Sequence, residues 1–138
     1  MKKMNNKGFS LVELIVVVLI MAIIAVALAP QVMKWVENSR MSTDVQNYDS
    51  VVEAVNVALT DKTTLGNSTG KSMNMTSSGW SGDLATAVDN QVQNILGSGW
   101  KDDLKIRSNT WASSSFTISV STNGTVERTC APTADDIS

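Results

Sequence analysis

Glu13 is the residue whose chemistry is hardest to dismiss. It is the one charged residue inside an apolar N-terminal run, and the sixteen residues from Leu14 to Ala29 that follow it carry no charge. A carboxylate in hydrocarbon costs about 2.5–3.5 kcal/mol on insertion scales, so such a group is a functional candidate that calls for a partner. Few other candidates exist. The chain has no histidine, which excludes a His-based triad and His-ligated zinc. Its one cysteine, Cys130, cannot make an intrachain disulfide and, closing an expected strand, reads as a buried, inert thiol. Asp102-Asp103 and Asp135-Asp136 are the only adjacent acids and suit solvated turns. Trp80, Trp100 and Trp111 read as core or loop anchors rather than a ligand box. Three short Asn-x-Ser/Thr sequons, at Asn67, Asn74 and Asn123, are the kind that Ser/Thr-rich loops produce by chance. No nucleophile–base pair or metal constellation is left, so the sequence points away from an enzyme.

Charge is unevenly placed. Lys2, Lys3 and Lys7 precede the apolar run with no acid among them, whereas from Phe9 onward eight basic residues face thirteen acidic ones, a formal −5. An acidic body without a basic cluster argues against nucleic acid as the constitutive partner. The basic N-terminus fits the positive-inside rule, with the lysines cytoplasmic and the body exported.

The elements that position these residues follow from periodicity. Phe9 to about Ala29 is an apolar helix candidate, and Pro30 follows it. Beyond Pro30 the pattern turns amphipathic. Val45, Tyr48, Val52, Val55 and Leu59 share one helical face, and Asp44, Gln46, Asp49 and Glu53 suit a solvent face. The whole reads as one helix from Phe9 to Asp61, kinked near Pro30 because proline removes a backbone donor. At 1.5 Å per residue it would be roughly 80 Å long, so half of it must lie outside a bilayer. Trp35 suits an interfacial anchor or a contact with a neighbouring helix. Residues 63–82 are dominated by Ser, Thr, Gly and Asn and predict a long loop. Leu84, Val88, Val92, Ile95 and Leu96 predict a short second helix, with Ser81 or Gly82 at its start and Gly97 at its end. Leu104, Ile106 and Trp111 suggest a strand region. Phe116, Ile118 and Val120 alternate with polar residues, Asn123-Gly124 is a hairpin turn signal, and residues 125–129 return as the partner strand. Two or three strands need a helix to cover them, and the Val45/Tyr48/Val52/Val55 face is the obvious cover. The tail from Ala131 is polar and reads as frayed.

Three readings of the first thirty residues compete. An ordinary secretory signal peptide with Ala27-Leu28-Ala29 as its cleavage site puts Pro30 just past the cut and gives Glu13 no purpose. A plain transmembrane anchor explains the lysines and the aliphatics but not Glu13. The third rests on Lys7-Gly8-Phe9-Ser10-Leu11-Val12-Glu13-Leu14. This string resembles the class III signal of type IV prepilins and type II secretion pseudopilins, which is a basic leader ending in Gly, then Phe, Thr or Ser, Leu, an aliphatic residue, Glu and Leu. Every position matches. The resemblance covers roughly residues 2–30, including Pro30, which resembles the family's helix-bending proline.

The resemblance implies an α+β, type IV pilin-like lollipop: a long N-terminal helix packed against a small antiparallel sheet. It implies a cytoplasmic leader 1–8 that a prepilin peptidase removes by cutting between Gly8 and Phe9. The new Phe9 amine would be N-methylated. Segment 9–30 would be a transmembrane and assembly helix, and 31–138 a pilin domain that includes the outer half of that helix. Glu13 and Phe9 would act in assembly, the carboxylate of one subunit meeting the Phe9 ammonium of its neighbour in a staggered bundle. The partners implied are further copies of the chain, the peptidase, membrane lipid before assembly, an inner-membrane assembly platform with its ATPase, and minor pilins. The protein would begin as a single-pass plasma membrane protein and end in a surface filament. The same fold would serve a major pseudopilin of a type II secretion or DNA-uptake system, and a membrane-anchored binding domain is a distant alternative. Glu13 argues against the tip-type subunit that lacks this acid. Many Gram-negative pilins close a C-terminal loop with a disulfide, and the single Cys130 departs from that. No cofactor is expected, though major pseudopilins can hold calcium in a C-terminal loop, where the acid pairs would be its ligands.

Overall fold

The computed structural model describes residues 8–137; Lys2, Lys3 and Lys7 of the leader lie outside the described residues. The chain divides into two units between Val36 and Glu37. Helix α1, Leu11–Ala58, supplies nearly all of the first unit and the opening of the second.

In the first unit, residues 8–10 are not helical and every residue from Gly8 to Val36 is exposed. A run of Leu, Ile, Val and Ala is a strong helix former apart from its β-branched members. Its apolarity goes all the way round, which suits a helix surrounded by hydrocarbon or by other helices. The helix is long and apolar enough to cross a membrane, and Pro30 sits within it.

The second unit carries the core. Its stretch of α1 buries Met41, Asp44, Tyr48, Val51, Val52, Val55 and Ala58, which is the expected amphipathic face with two differences. Val45 is only half-buried, and Asp44 lies inside. Four antiparallel strands pair in the order β2-β1-β3-β4: β1 Ser72–Thr76, β2 Gly79–Ser81, β3 Phe116–Val120 and β4 Val126–Cys130. Met73 and Met75 of β1 and Phe116, Ile118 and Val120 of β3 point into the core. The register opposes Met73 to Ile118 and Met75 to Phe116, so one face of the pleat is continuously apolar. Tyr48 ties α1 to this face. Its ring lies 6.0 Å from that of Trp80 and 6.3 Å from that of Phe116, and its hydroxyl donates to the Thr117 carbonyl at 3.0 Å.

The expected long loop at 63–82 holds three elements instead. Asp61 caps helix α2, Lys62–Ser68, by accepting from the Thr63 and Thr64 amides, and β1 and β2 form a hairpin. Composition hides this hairpin because its core face consists of Met73, Met75 and Trp80 alone. The expected second helix is two: α3, Asp83–Ala87, and α4, Asp89–Leu96, hinged at Val88. Gly97, with φ of 96°, ends α4 as expected. Helix α5, Trp100–Asp103, follows. Leu104, Ile106 and Trp111 do not form a strand; residues 104–115 are an irregular segment whose Ile106 amide donates to the Thr76 carbonyl at 3.2 Å. Beyond β4 the tail is not simply frayed. It makes a 3-10 turn at Ala134–Asp136, Pro132 is buried, and Ile137 packs on the core.

Candidate functional site

The N-terminal residues singled out by the sequence meet at the start of α1. Gly8, Phe9 and Ser10 precede the helix, and Phe9 is 81% exposed. Ser10 and Glu13 form a reciprocal pair: the Ser10 amide donates to Glu13 Oε2 at 3.2 Å, and the Glu13 amide donates to Ser10 Oγ at 3.3 Å. This is a capping box, in which two first-turn donors that the helix itself cannot satisfy are met by side chains. The first main-chain bond of the turn runs from the Leu14 amide to the Ser10 carbonyl at 3.2 Å. The box therefore fixes where the helix begins, two residues after the Gly8–Phe9 bond. It was legible as Ser-x-x-Glu ahead of an apolar run, but reading Glu13 only as a membrane anomaly passes over it. A carboxylate also suits this position because the helix dipole is positive at its N-terminus.

In the second unit two carboxylates of α1 hold the irregular segment after α5. Glu37 Oε1 accepts from the Thr110 amide at 2.8 Å and the Thr110 hydroxyl at 3.0 Å. The Thr110 amide holds the Glu37 carboxyl below its ordinary range, against a smaller opposing effect of burial. Asp44, seven residues on, is fully buried. It accepts from the Arg107 amide at 2.7 Å, the Ser108 amide at 3.0 Å and the Ser108 hydroxyl at 2.6 Å. The sequence placed Asp44 on a solvent face. It lies inside because its partners arrive from more than sixty residues away, and no local pattern announces them.

The aromatic residues are structural. Trp100 donates to Asp89 Oδ1 at 3.0 Å, and Lys101 pairs with Asp89 Oδ2 at 2.9 Å. Burial pushes the Asp89 carboxyl up, but hydrogen bonds from Lys101, Gln93 and Trp100 outweigh it and hold the group below its ordinary value. Trp80 donates to the Leu104 carbonyl, and Trp111 meets Phe116 edge to face. All three are core anchors, as expected, while Trp35 is 61% exposed. Cys130 is exposed, not buried: a register shift between β3 and β4 sets it opposite Thr117, whose side chain is not on the core face. Among the described residues no three Asp, Glu, His or Cys side chains converge as a metal site would require.

The described chain is thus an apolar helix with a capped start, long enough to cross a membrane, and a small α+β unit. Residues 3–29 match the family model of the prokaryotic N-terminal methylation motif. The chain thus carries the class III signal of type IV pilins and pseudopilins, and its long helix and four-stranded antiparallel sheet fit the α+β pilin-like fold. No curated protein and no solved structure matches it.

Proposed function

We propose that this chain is the precursor of a structural filament subunit that polymerises through α1 into a type IV pilus. The observation that carries this reading is the methylation motif at the head of an apolar helix whose residues from Leu11 to Val36 are all exposed. A prepilin peptidase cuts between Gly8 and Phe9 on the cytoplasmic side, removing three lysines and freeing the Phe9 amine. N-methylation keeps that amine cationic. The helix stays in the mature protein as its anchor until subunits come together. In a staggered bundle the Glu13 carboxylate of one copy then faces the Phe9 ammonium of the next. Such a pair is strong in a low-dielectric bundle only when both partners are present, and a buried polar pair of this kind sets axial register.

The test scores processing and surface filaments in one strain. Intact mass of sheared filaments is expected to give a chain that begins at methylated Phe9. A mature chain beginning at Pro30 would mean a signal peptide and end the proposal. A bulky replacement of Gly8 leaves full-length precursor in the membrane. Glu13→Ala is cut normally yet yields no filaments, and normal filaments from it would remove the pairing mechanism.

A further inference from the structure

The resemblance implies a membrane segment at 9–30, but the start of α1 and the spacing of its charges place it elsewhere. The inference rests on the membrane-anchored reading and fixes its depth. The uninterrupted apolar stretch Leu14–Ala29 is about 24 Å long at the rise of an α-helix, short of a hydrocarbon core of about 30 Å. It must be extended by about one turn, towards Ser10 or towards Met33.

Extension towards Ser10 would immerse the Glu13 carboxylate and the first turn of the helix. Among the described residues the Leu11 and Val12 amides precede the first main-chain bond of the turn, Leu14 N–H to Ser10 O, and the side chains of the capping box serve the Ser10 and Glu13 amides. Backbone donors without an internal acceptor are not tolerated against lipid. Extension towards Met33 immerses Pro30 and Gln31 with Val32 and Met33. Its polar burden is one neutral side-chain amide near the boundary and the Val26 carbonyl, which Pro30, having no N–H, leaves without its usual donor. A carboxylate and the amides of the first helical turn, which a helix does not satisfy internally, are the costlier set. The far end agrees: Leu14–Met33 is twenty residues without a charge, about 30 Å long, and it runs directly into Lys34 and the exposed Trp35. These are the residue types that settle at a lipid–water boundary.

We infer that phospholipid covers Leu14–Met33, with Glu13 held by its capping box at the cytoplasmic boundary and Lys34-Trp35 at the outer one. Glu13 is then the stop that sets the depth of the anchored subunit. Its desolvation is incurred only when the helix is drawn outward, which is when a cationic partner becomes necessary. The Gly8–Phe9 bond stands clear of the hydrocarbon on the cytoplasmic side.

The experiment uses the full-length chain in phosphatidylcholine–phosphatidylglycerol vesicles, with Cys130→Ser as background. Single cysteines between Val12 and Val36, leaving Glu13, Lys34 and Trp35 intact, carry a nitroxide. Immersion is read from the ratio of oxygen to nickel-chelate accessibility. The maximum is expected at Ile23–Ile24, with labels at 12 and 36 in the polar zone. Glu13→Leu is expected to move the maximum towards Leu19–Ile20, a shift of about four residues or 6 Å. Ser10→Ala, which removes a capping bond but keeps the charge, leaves it in place. A maximum already at 19–20 in the parent overturns the inference. So does a profile unmoved by Glu13→Leu, or one moved as far by Ser10→Ala. A helix with no immersed stretch at all overturns the membrane-anchored reading instead.

Discussion

Asp44 and Glu37 show how far single side chains decide the second unit. The three donors on Asp44 are two backbone amides and one hydroxyl, and the Asp44 carboxylate and the Ser108 hydroxyl are buried. Asp44→Ala strands them without an acceptor, and chemical denaturation is expected to show a loss of about 3 kcal/mol, since hydrogen bonds to charged groups and unsatisfied buried donors lie in that range. Glu37 makes a prediction in pH. Its carboxyl is held below its ordinary range by the Thr110 amide, so the folded state favours the charged form. That contribution is present above the unfolded carboxyl value and is lost as pH falls through the lower folded one. A stability profile from pH 6 downward is expected to fall, and Glu37→Gln to flatten the part of the fall below about pH 4.3. Tyr48 acts at the other end. Burial pushes its hydroxyl up to about 12, so stability is lost as pH rises from about 10 towards that value, and Tyr48→Phe removes this alkaline loss. Tyr48 on the buried face was legible from its spacing, whereas Asp44 was not. Aspartate beside Val45 looks solvated until Arg107 and Ser108 arrive from elsewhere in the chain.

At the scale of elements, the hairpin β1–β2 and helix α5 depend on one close approach. Gly79 has φ of 128°, and a Cβ there would stand 2.4 Å from the Lys101 carbonyl oxygen. That oxygen belongs to backbone and cannot swing aside, so Gly79→Ala strains both the dihedral and the packing. A loss of about 2–3 kcal/mol is expected in thermal or chemical unfolding. Gly66 in α2 is the contrast. A Cβ there meets nothing within 4 Å, and Gly66→Ala is expected to stabilise by up to about 1 kcal/mol through helix propensity. Both glycines fall in the stretch that reads as loop. Their opposite effects follow from neighbours the composition does not contain. The strands that strict alternation marks, Phe116–Val120 and its partner across Asn123-Gly124, were legible, but the turn centres on Thr122-Asn123, with the Gly124 amide donating to the Ser121 carbonyl, and Gly124 takes a positive φ of 85° as the residue after it.

For the whole molecule the useful division is the one between Val36 and Glu37. Residues from Glu37 onward bury their own core, including Tyr48, Met73, Met75, Trp100 and Ile118. Residues 31–138, expressed without the apolar run, are expected to be monomeric by sedimentation and to unfold in one cooperative transition. An aggregating or non-cooperative fragment would mean that the second unit needs the first to fold. Among the described residues the first unit has no such core. Every residue from Leu11 to Val36 is exposed, so its apolar surface needs lipid or other helices to cover it.

What the sequence determined by itself is what local chemistry can write. A charge-free run of aliphatic residues forms a helix whatever follows it. Alternation in Phe116–Val120 forms a strand, and the residues around Glu13 carry the prokaryotic N-terminal methylation motif. Tertiary structure decided where partners are distant. Glu13 has a local partner in Ser10, and that pattern could have been read. Asp44 went inside for donors more than sixty positions away. Met73, Met75 and Trp80 made strands of a polar stretch because β3 offered them an apolar face to extend. Cys130 came to the surface because a register shift between β3 and β4 set it opposite Thr117. Burial is set by what arrives from far along the chain, and neither periodicity nor composition records that.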